Sequence, residues 1–308
     1  MTYGRILVIR LGALGDVVLS CGPFQAIRRY HKGSQITLLT TQPYVDFLKS
    51  SEWFDEIIVD QRPSFWQIKK WIRLRKILRA GHFDRIYDLQ TSDRSGWYYK
   101  LLGPGNRPEW SGIVSGCSHP HINPDRDELH TIDRQRDQLA AAGISNISIP
   151  DFSWVNSDLG RFNLPKRYYL IVPGGAAHRP LKRWPAKNFA AIARNIVTRG
   201  VTPVLIGGVT EREAADSILS VCENILDLTG LTSLADLAVL ARHSCGAVGN
   251  DTGPMHIIAA AGCPCLVLFS SQSDHTITAP RGQNVEIMFS RDLANLLPEK
   301  VERKLSIR

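Results

Sequence analysis

The sequence has no apolar run long enough to cross a bilayer. Its longest, Ile257 to Phe269, is broken by Gly262 and Pro264, whereas a spanning helix needs about 20 apolar residues. Met1 to Arg10 offers no apolar leader and passes directly into a strand pattern. These absences argue against a transmembrane protein or one exported by a signal peptide, and the expectation is a cytoplasmic protein. The six cysteines, Cys21, Cys117, Cys222, Cys245, Cys263 and Cys265, include no Cys-x-x-Cys pair with a matching second half, which argues against a structural zinc. Scattered among apolar neighbours, they read as reduced core residues. His119, His121 and His130 fit no common metal spacing and read as loop histidines. Internal repeats and low-complexity tracts are also lacking.

What is present is a chain of 308 residues, 44% hydrophobic and 21% charged. That length exceeds one ordinary core and fits two domains of about 150 residues each. A net charge of +8 implies acidic partners: nucleic acid, anionic lipid or phosphorylated substrates. Composition does not choose among them. Short β-branched runs alternate with helical stretches, the pattern of parallel βαβ units. Strands are expected over 5–10, 35–40, 56–59 and 85–89, with helices over 16–30, 65–79 and 129–142. Past Gly103 the chain becomes irregular, and Pro150 to Pro165 reads as a linker. The rhythm then restarts, with strands over 168–172, 203–206, 225–228, 246–249 and 264–269. Helices are expected between them over 186–198, 211–221, 233–241 and 254–261. The fold class is α/β, with two Rossmann-like, doubly wound domains facing a cleft. The domains are assigned to 1–155 and 156–290, followed by a tail, 291–308. In such sheets ligands bind at the carboxyl ends of the strands.

Three segments fall at such ends. Gly249 to His256 runs from a buried strand through a polar turn into a helix, with Pro254 suited to its first position. Free N–H groups of Gly253, Met255 and His256, backed by the helix dipole, would make a diphosphate site. An ordinary helix capped by Asp251 or Thr252 explains the same residues. Arg10 to Asp16 joins the first strand to the first helix. Its glycines, Gly12 and Gly15, are spaced Gly-x-x-Gly, so the Gly-x-Gly-x-x-Gly dinucleotide fingerprint is absent and a dehydrogenase is disfavoured. Asp16 could take a proton from an attacking sugar hydroxyl, or it could simply cap the helix. Pro173 to Pro185 combines small residues with Lys182 and Arg183, which either meet phosphates or face solvent.

In this order the segments resemble the heptosyltransferase family of lipopolysaccharide core synthesis. The resemblance runs from Ile6-Leu7-Val8-Ile9-Arg10 to Asp16 and through Tyr87-Asp88-Leu89-Gln90 with Arg94-Ser95. It continues through Pro173-Gly174, Lys182-Arg183-Trp184-Pro185, Leu228-Thr229-Gly230 and Asn250 to His256. It implies a GT-B fold, an ADP-heptose donor, an inverting mechanism, a lipid-linked or oligosaccharide acceptor, and no metal or further cofactor. It also implies that nucleic acid is not a partner. By the same resemblance Asp16 is the catalytic base and Lys182, with Arg183 beside it, meets the phosphates. Asp251, Thr252, Gly253, Met255 and His256 hold the donor diphosphate and sugar. Thr229 and Gly230 line the nucleotide pocket, and Glu211 reaches the ribose. Gly12, Gln90 and Arg94 lie on the acceptor side, and the tail, 291–308, returns to the first domain. The loop His178-Arg179-Pro180 departs from the small or aromatic residues expected there. A transferase using another nucleotide sugar, or a non-catalytic nucleotide-binding protein, are the alternatives.

One stretch stands apart. Phe65 to Arg79 mixes Lys69, Lys70, Arg73 and Lys76 with Phe65, Trp66, Ile68, Trp71 and Ile72. Either a core-facing stripe carries a solvated basic face, or the helix contacts an anionic inner membrane from the cytoplasmic side.

Overall fold

A computed structural model describes residues 4–103, 107–175 and 179–308; Ala176, Ala177 and His178 of the third segment lie outside them. The chain divides into two units, Met1–Ile149 and Pro150–Arg308. In the first unit the strands are β1 (Arg5–Ile9), β2 (Gln35–Thr40), β3 (Glu56–Val59), β4 (Arg85–Asp88), β5 (Glu109–Gly112) and β6 (His119–Pro120). Its helices are α1 (Leu14–Leu19), α2 (Cys21–Tyr30), α3 (Val45–Lys49), α4 (Ile68–Ala80), α5 (Asp93–Leu102) and α6 (Thr131–Ala141). The second unit holds β7 (Tyr168–Val172), β8 (Thr202–Leu205), β9 (Leu226–Asp227), β10 (Ala247–Asn250), β11 (Cys265–Phe269) and β12 (Val285–Phe289). Around them lie α7 (Ala186–Thr198), α8 (Arg212–Leu219), α9 (Leu234–His243), α10 (Gly253–Ala260), α11 (His275–Thr278) and α12 (Pro298–Glu302).

Both sheets are parallel and six-stranded, in the orders β3-β2-β1-β4-β5-β6 and β12-β11-β10-β7-β8-β9. The two orders are the same pattern: each unit's first strand sits centrally, and the chain winds outward to either side of it. The central strands are buried on both faces, as continuous apolar runs such as Ile6 to Ile9 and Tyr168 to Val172 require. Register places Val8 between Leu38 and Tyr87, and Ile171 between Leu205 and Val248. The winding direction reverses between β1 and β4 and again between β7 and β10. A crevice opens at the strand ends at such reversals.

The expected 16–30 helix is two helices. Pro23 has no N–H to donate, and its ring would strike the carbonyl four residues earlier, so α1 stops and α2 restarts at Cys21. The basic helix begins at Ile68 rather than at Phe65. α5, β5, β6 and β12 were not expected. The 150–165 segment is part of the second unit rather than a linker: Phe152 is buried, its N–H donates to Ala260 O at 3.0 Å, and its carbonyl accepts from Arg242 at 3.0 Å. The unit boundary therefore falls at 149/150, ahead of the expected 155/156. The 291–308 tail also packs within the second unit. Val301 enters a core with Trp184, Phe189 and Ile196, and Arg308 N donates to Cys245 O at 2.9 Å. All six cysteines are buried and free. Among the described residues no helix is long and apolar enough to cross a membrane.

Candidate functional site

In the first unit the chain leaves β1 at Arg10, which is almost wholly buried. Its guanidinium donates to Leu89 O, at the end of β4, and pairs with Asp16 Oδ1 at 3.0 Å. Burial lowers the Arg10 pKa, and the Asp16 carboxylate opposes that shift. Asp16 Oδ2 accepts the Ala13 N–H at 3.2 Å, which fixes the carboxylate over the start of α1. Gly12 is required here. Its φ is +127°, and a Cβ would lie 3.0 Å from Tyr44 Oη. Gln90 Oε1 accepts the Leu11 N–H at 2.8 Å and so joins the same two strand ends from the other side.

Arg10, Asp16, Leu89 and Gln90 border a pocket of about 190 Å³ whose far wall is α6, through Thr131, Arg134 and Gln135. Among the described residues, Arg10 Nε, Arg134 Nε and Gln135 Oε1 are buried without a hydrogen-bond partner, so the polar residues that line this pocket are not fully satisfied by one another. Behind it Gln138 donates to Asp88 O at 2.9 Å and Ser111 O at 3.2 Å. Burial pushes Asp88 up to about 6, against the bonds it accepts from Thr91, Ser95 and Gln90. The α6 residues were missed from sequence. Their signal is a polar row at helical spacing, Thr131, Gln135 and Gln138, on a face that also buries Ile132 and Leu139.

In the second unit Asn250 holds the switch point together. Its Nδ2 donates to Pro173 O at 2.9 Å and Gly174 O at 3.1 Å, and its Oδ1 accepts the Trp184 N–H at 3.0 Å. Asp251 follows, with Oδ2 accepting from Lys182 Nζ at 2.7 Å and from Ser273 Oγ at 2.6 Å. α10 starts at Gly253, so Pro254 is second rather than first. Thr252 is its N-cap by backbone, but its buried Oγ1 has no hydrogen-bond partner among the described residues. On the neighbouring side, Glu211 accepts the Gly208 N–H at 2.7 Å and packs over Gly174 and Gly207. A Cβ at Gly174 would lie 2.6 Å from Glu211 Cγ, so only glycine permits this approach. Thr229 and Gly230 adjoin the same corner, with Gly230 N donating to Gly207 O at 2.8 Å.

Asp16, Gly12 and Gln90 are thus brought together. Lys182 with Asp251, and Glu211 with Thr229 and Gly230, form two further groups. Arg94 is not among the residues that line the pocket beside Asp16: it donates to Pro63 O at 3.1 Å, and its guanidinium lies 5.6 Å from the Trp71 ring centre. Arg183 turns back onto Gly175 O at 3.0 Å. Met255 is fully buried and its N–H donates to Thr252 O at 3.1 Å, so that N–H is not open to a ligand as expected. His256 is also buried. His121 bonds Asp137 at 2.8 Å and His130 caps α6. Among the described residues no group of three His, Cys, Asp or Glu side chains is gathered as a metal ion would need.

Residues 71–305 match the family described as glycosyltransferase family 9 (heptosyltransferase). The chain belongs to this family. The lipopolysaccharide heptosyltransferase 3 of Escherichia coli strain K12 is 24% identical over 296 residues, covering 88% of this glycosyltransferase and 83% of that relative. A solved family 9 glycosyltransferase from Veillonella parvula DSM 2008 superposes with a TM-score of 0.85 at 21% identity, covering 98% of this chain and 97% of the other. The ADP-heptose LPS heptosyltransferase II of Escherichia coli gives 0.80 at 22% identity, with 97% of each chain covered. At these identities the structures speak for the fold, which is GT-B: two doubly wound α/β units in series.

Proposed function

We propose that this family 9 glycosyltransferase moves heptose from ADP-heptose to a sugar of the lipopolysaccharide core, inverting the anomeric centre, with Asp16 as general base and no divalent metal. The observation that carries this reading is the seat of Asp16. A carboxylate held by Arg10 and the Ala13 N–H borders a small polar pocket at a sheet's switch point, where acceptor sugars would be held. The acceptor hydroxyl attacks the anomeric carbon on the face away from the diphosphate. Its proton passes to Asp16, the bond from carbon to diphosphate oxygen breaks, and ADP leaves with the electron pair. Gln90 and Gly12 border the acceptor, and Arg94 shapes the Pro63 turn on the acceptor side.

On the donor side Lys182, Thr252 and the Gly253 N–H take the diphosphate, and Asp251 takes donor hydroxyls. Lys182 exchanges its present Asp251 partner for a phosphate oxygen, and the positive end of α10 shares the developing charge. Glu211, Thr229 and Gly230 form the nucleotide corner. Arg183, Met255 and His256 support the loops around it. The ADP-heptose in a relative's name favours this donor. Use of such a donor belongs in the cytoplasm, which the six free cysteines also favour. Mass spectrometry of ADP-heptose with truncated lipopolysaccharide acceptors should show one added heptose, and NMR of the product should show the inverted anomeric configuration. Turnover should persist in excess EDTA. Loss of turnover in EDTA with recovery on adding magnesium would overturn the metal-free account, and failure with every such acceptor would overturn the substrate assignment. Thermal shifts larger with UDP or GDP than with ADP would point to another donor.

A further inference from the structure

Between Asp60 and Asp84 the sequence has no acidic side chain but seven basic ones, among them Lys69, Lys70, Arg73 and Lys76. The whole chain carries +8, so this stretch alone nearly accounts for the excess. The structure shows how α4 distributes it. Trp71, Leu74 and Leu78, spaced i, i+3 and i+7, turn toward the core, where Trp71 lies 6.1 Å from the Tyr98 ring. Lys69, Arg73 and Lys76 project from the opposite side, and among the described residues none of the three forms an ion pair. Ile68 and Ile72, one helical turn apart, are exposed on the flank of this basic face.

The turn before the helix adds Phe65, 73% exposed, and Trp66, 91% exposed. This is not a frayed end. Gln67 N donates to Ser64 O at 2.9 Å, Trp71 Nε1 to the same oxygen at 3.1 Å, and Arg94 to Pro63 O at 3.1 Å. On α5, which packs beside α4, Trp97 is also exposed, with Lys100 Nζ 4.4 Å from its ring centre. A solvated basic face explains the lysines but leaves four bulky apolar groups held in water with no partner among the described residues.

The geometry points to this surface as a docking face for an anionic phospholipid membrane. The cations meet headgroup phosphates, while Phe65, Trp66, Ile68 and Ile72 enter the boundary between headgroups and acyl chains. A nucleic acid would satisfy the cations and stack on the aromatics, yet leave the two isoleucines wet. An acidic protein would match the charge, but its carboxylates would leave Phe65, Trp66, Ile68 and Ile72 in water. A bilayer offers anionic and apolar layers side by side. That a lipid-linked acceptor lies in the same surface rests on the proposed function; the docking itself does not.

The test is co-sedimentation of the full chain with vesicles of phosphatidylcholine alone, or of equal parts phosphatidylcholine and phosphatidylglycerol. The wild type should bind the anionic vesicles and leave the neutral ones. Phe65→Ser with Trp66→Ser, and separately Lys69→Glu with Lys70→Glu and Arg73→Glu, should each weaken anionic-vesicle binding about tenfold or more. Both variants should keep the wild-type melting temperature and turnover on a delipidated core oligosaccharide. Equal binding to both vesicle types, no binding, or variants that bind as well as the wild type would overturn the proposal. Sedimentation requires no turnover, so a chain that docks without transferring heptose refutes only the activity, and one that transfers heptose but ignores vesicles refutes only the docking.

Discussion

At the scale of single residues, Asp16 and Lys182 have opposite situations. Asp16 is partly open, with a carboxylate fixed on one edge by Arg10 at 3.0 Å. Asp16→Asn keeps the size and the contact with the Ala13 N–H but cannot accept a proton. Turnover should fall roughly 100-fold or more, while calorimetry should find ADP affinity unchanged. Near-normal turnover would remove Asp16 from the mechanism. Lys182 is mostly buried and already paired with Asp251 at 2.7 Å, so its ammonium is preset at the start of α10. Lys182→Ala removes a charge-assisted contact of about 1.5–3 kcal/mol, which is roughly a 10- to 100-fold rise in the ADP dissociation constant. The variant also leaves the Asp251 carboxylate with Ser273 as its remaining side-chain partner, next to the incoming phosphates. An unchanged constant would make the pair purely structural.

At the scale of elements, the site depends on strand ends that are tied by side chains. Asn250 is fully buried and satisfies Pro173 O, Gly174 O and Trp184 N at once. Asn250→Ala strands three buried groups and should cost about 3 kcal/mol or more of stability, since each unmet group costs roughly 1–3 kcal/mol. Urea unfolding measures this, and a cost within error of zero would mean that the loop has other supports. The sequence made the central strands legible because β-branched runs buried on both faces have few other uses. It made the switch-point turns legible because glycines and charged residues follow those runs directly. α5 was missed because Trp97, Tyr98 and Tyr99 are contiguous rather than spaced at helical period. β5 reads Glu-Trp-Ser-Gly, with no β-branched residue, and is held as a strand by its pairing to β4. The α6 wall of the pocket was missed because buried glutamines look like a solvent face until their partners are known. The Lys182–Asp251 pair was missed for a related reason: 69 residues separate the two.

At the scale of the whole molecule, the first unit contains two buried groups whose titrations oppose each other. His31, bonded to Tyr87 Oη at 2.8 Å, is pulled from 6.5 to about 4 by burial, with Arg85 and Arg28 adding to the shift. Its folded form is neutral, so its stability is complete above 6.5 and is lost as pH falls toward 4, on the order of 3 kcal/mol. Asp88 is raised from 3.8 to about 6, so its share is complete below 3.8 and is lost as pH rises through 6. The two slopes largely cancel in the wild type. Asp88→Asn should expose the histidine slope and lose stability on acidification from 6.5 to 4, whereas His31→Gln should lean the other way. Melting temperatures across that range decide it, and parallel profiles for the two variants would refute the opposition. The shared strand order has a consequence of a different kind. Arg10 bonds Leu89 O in one unit and Asn250 bonds Pro173 O in the other, so each half secures its own crevice from within. A crossover at the Ile149–Pro150 junction therefore moves a finished ligand crevice in a single recombination event. Within this family, a chimera joined there should inherit its base preference intact from the parent of its second half. Melting shifts with ADP against UDP would read that inheritance, and a preference following the first half would refute it.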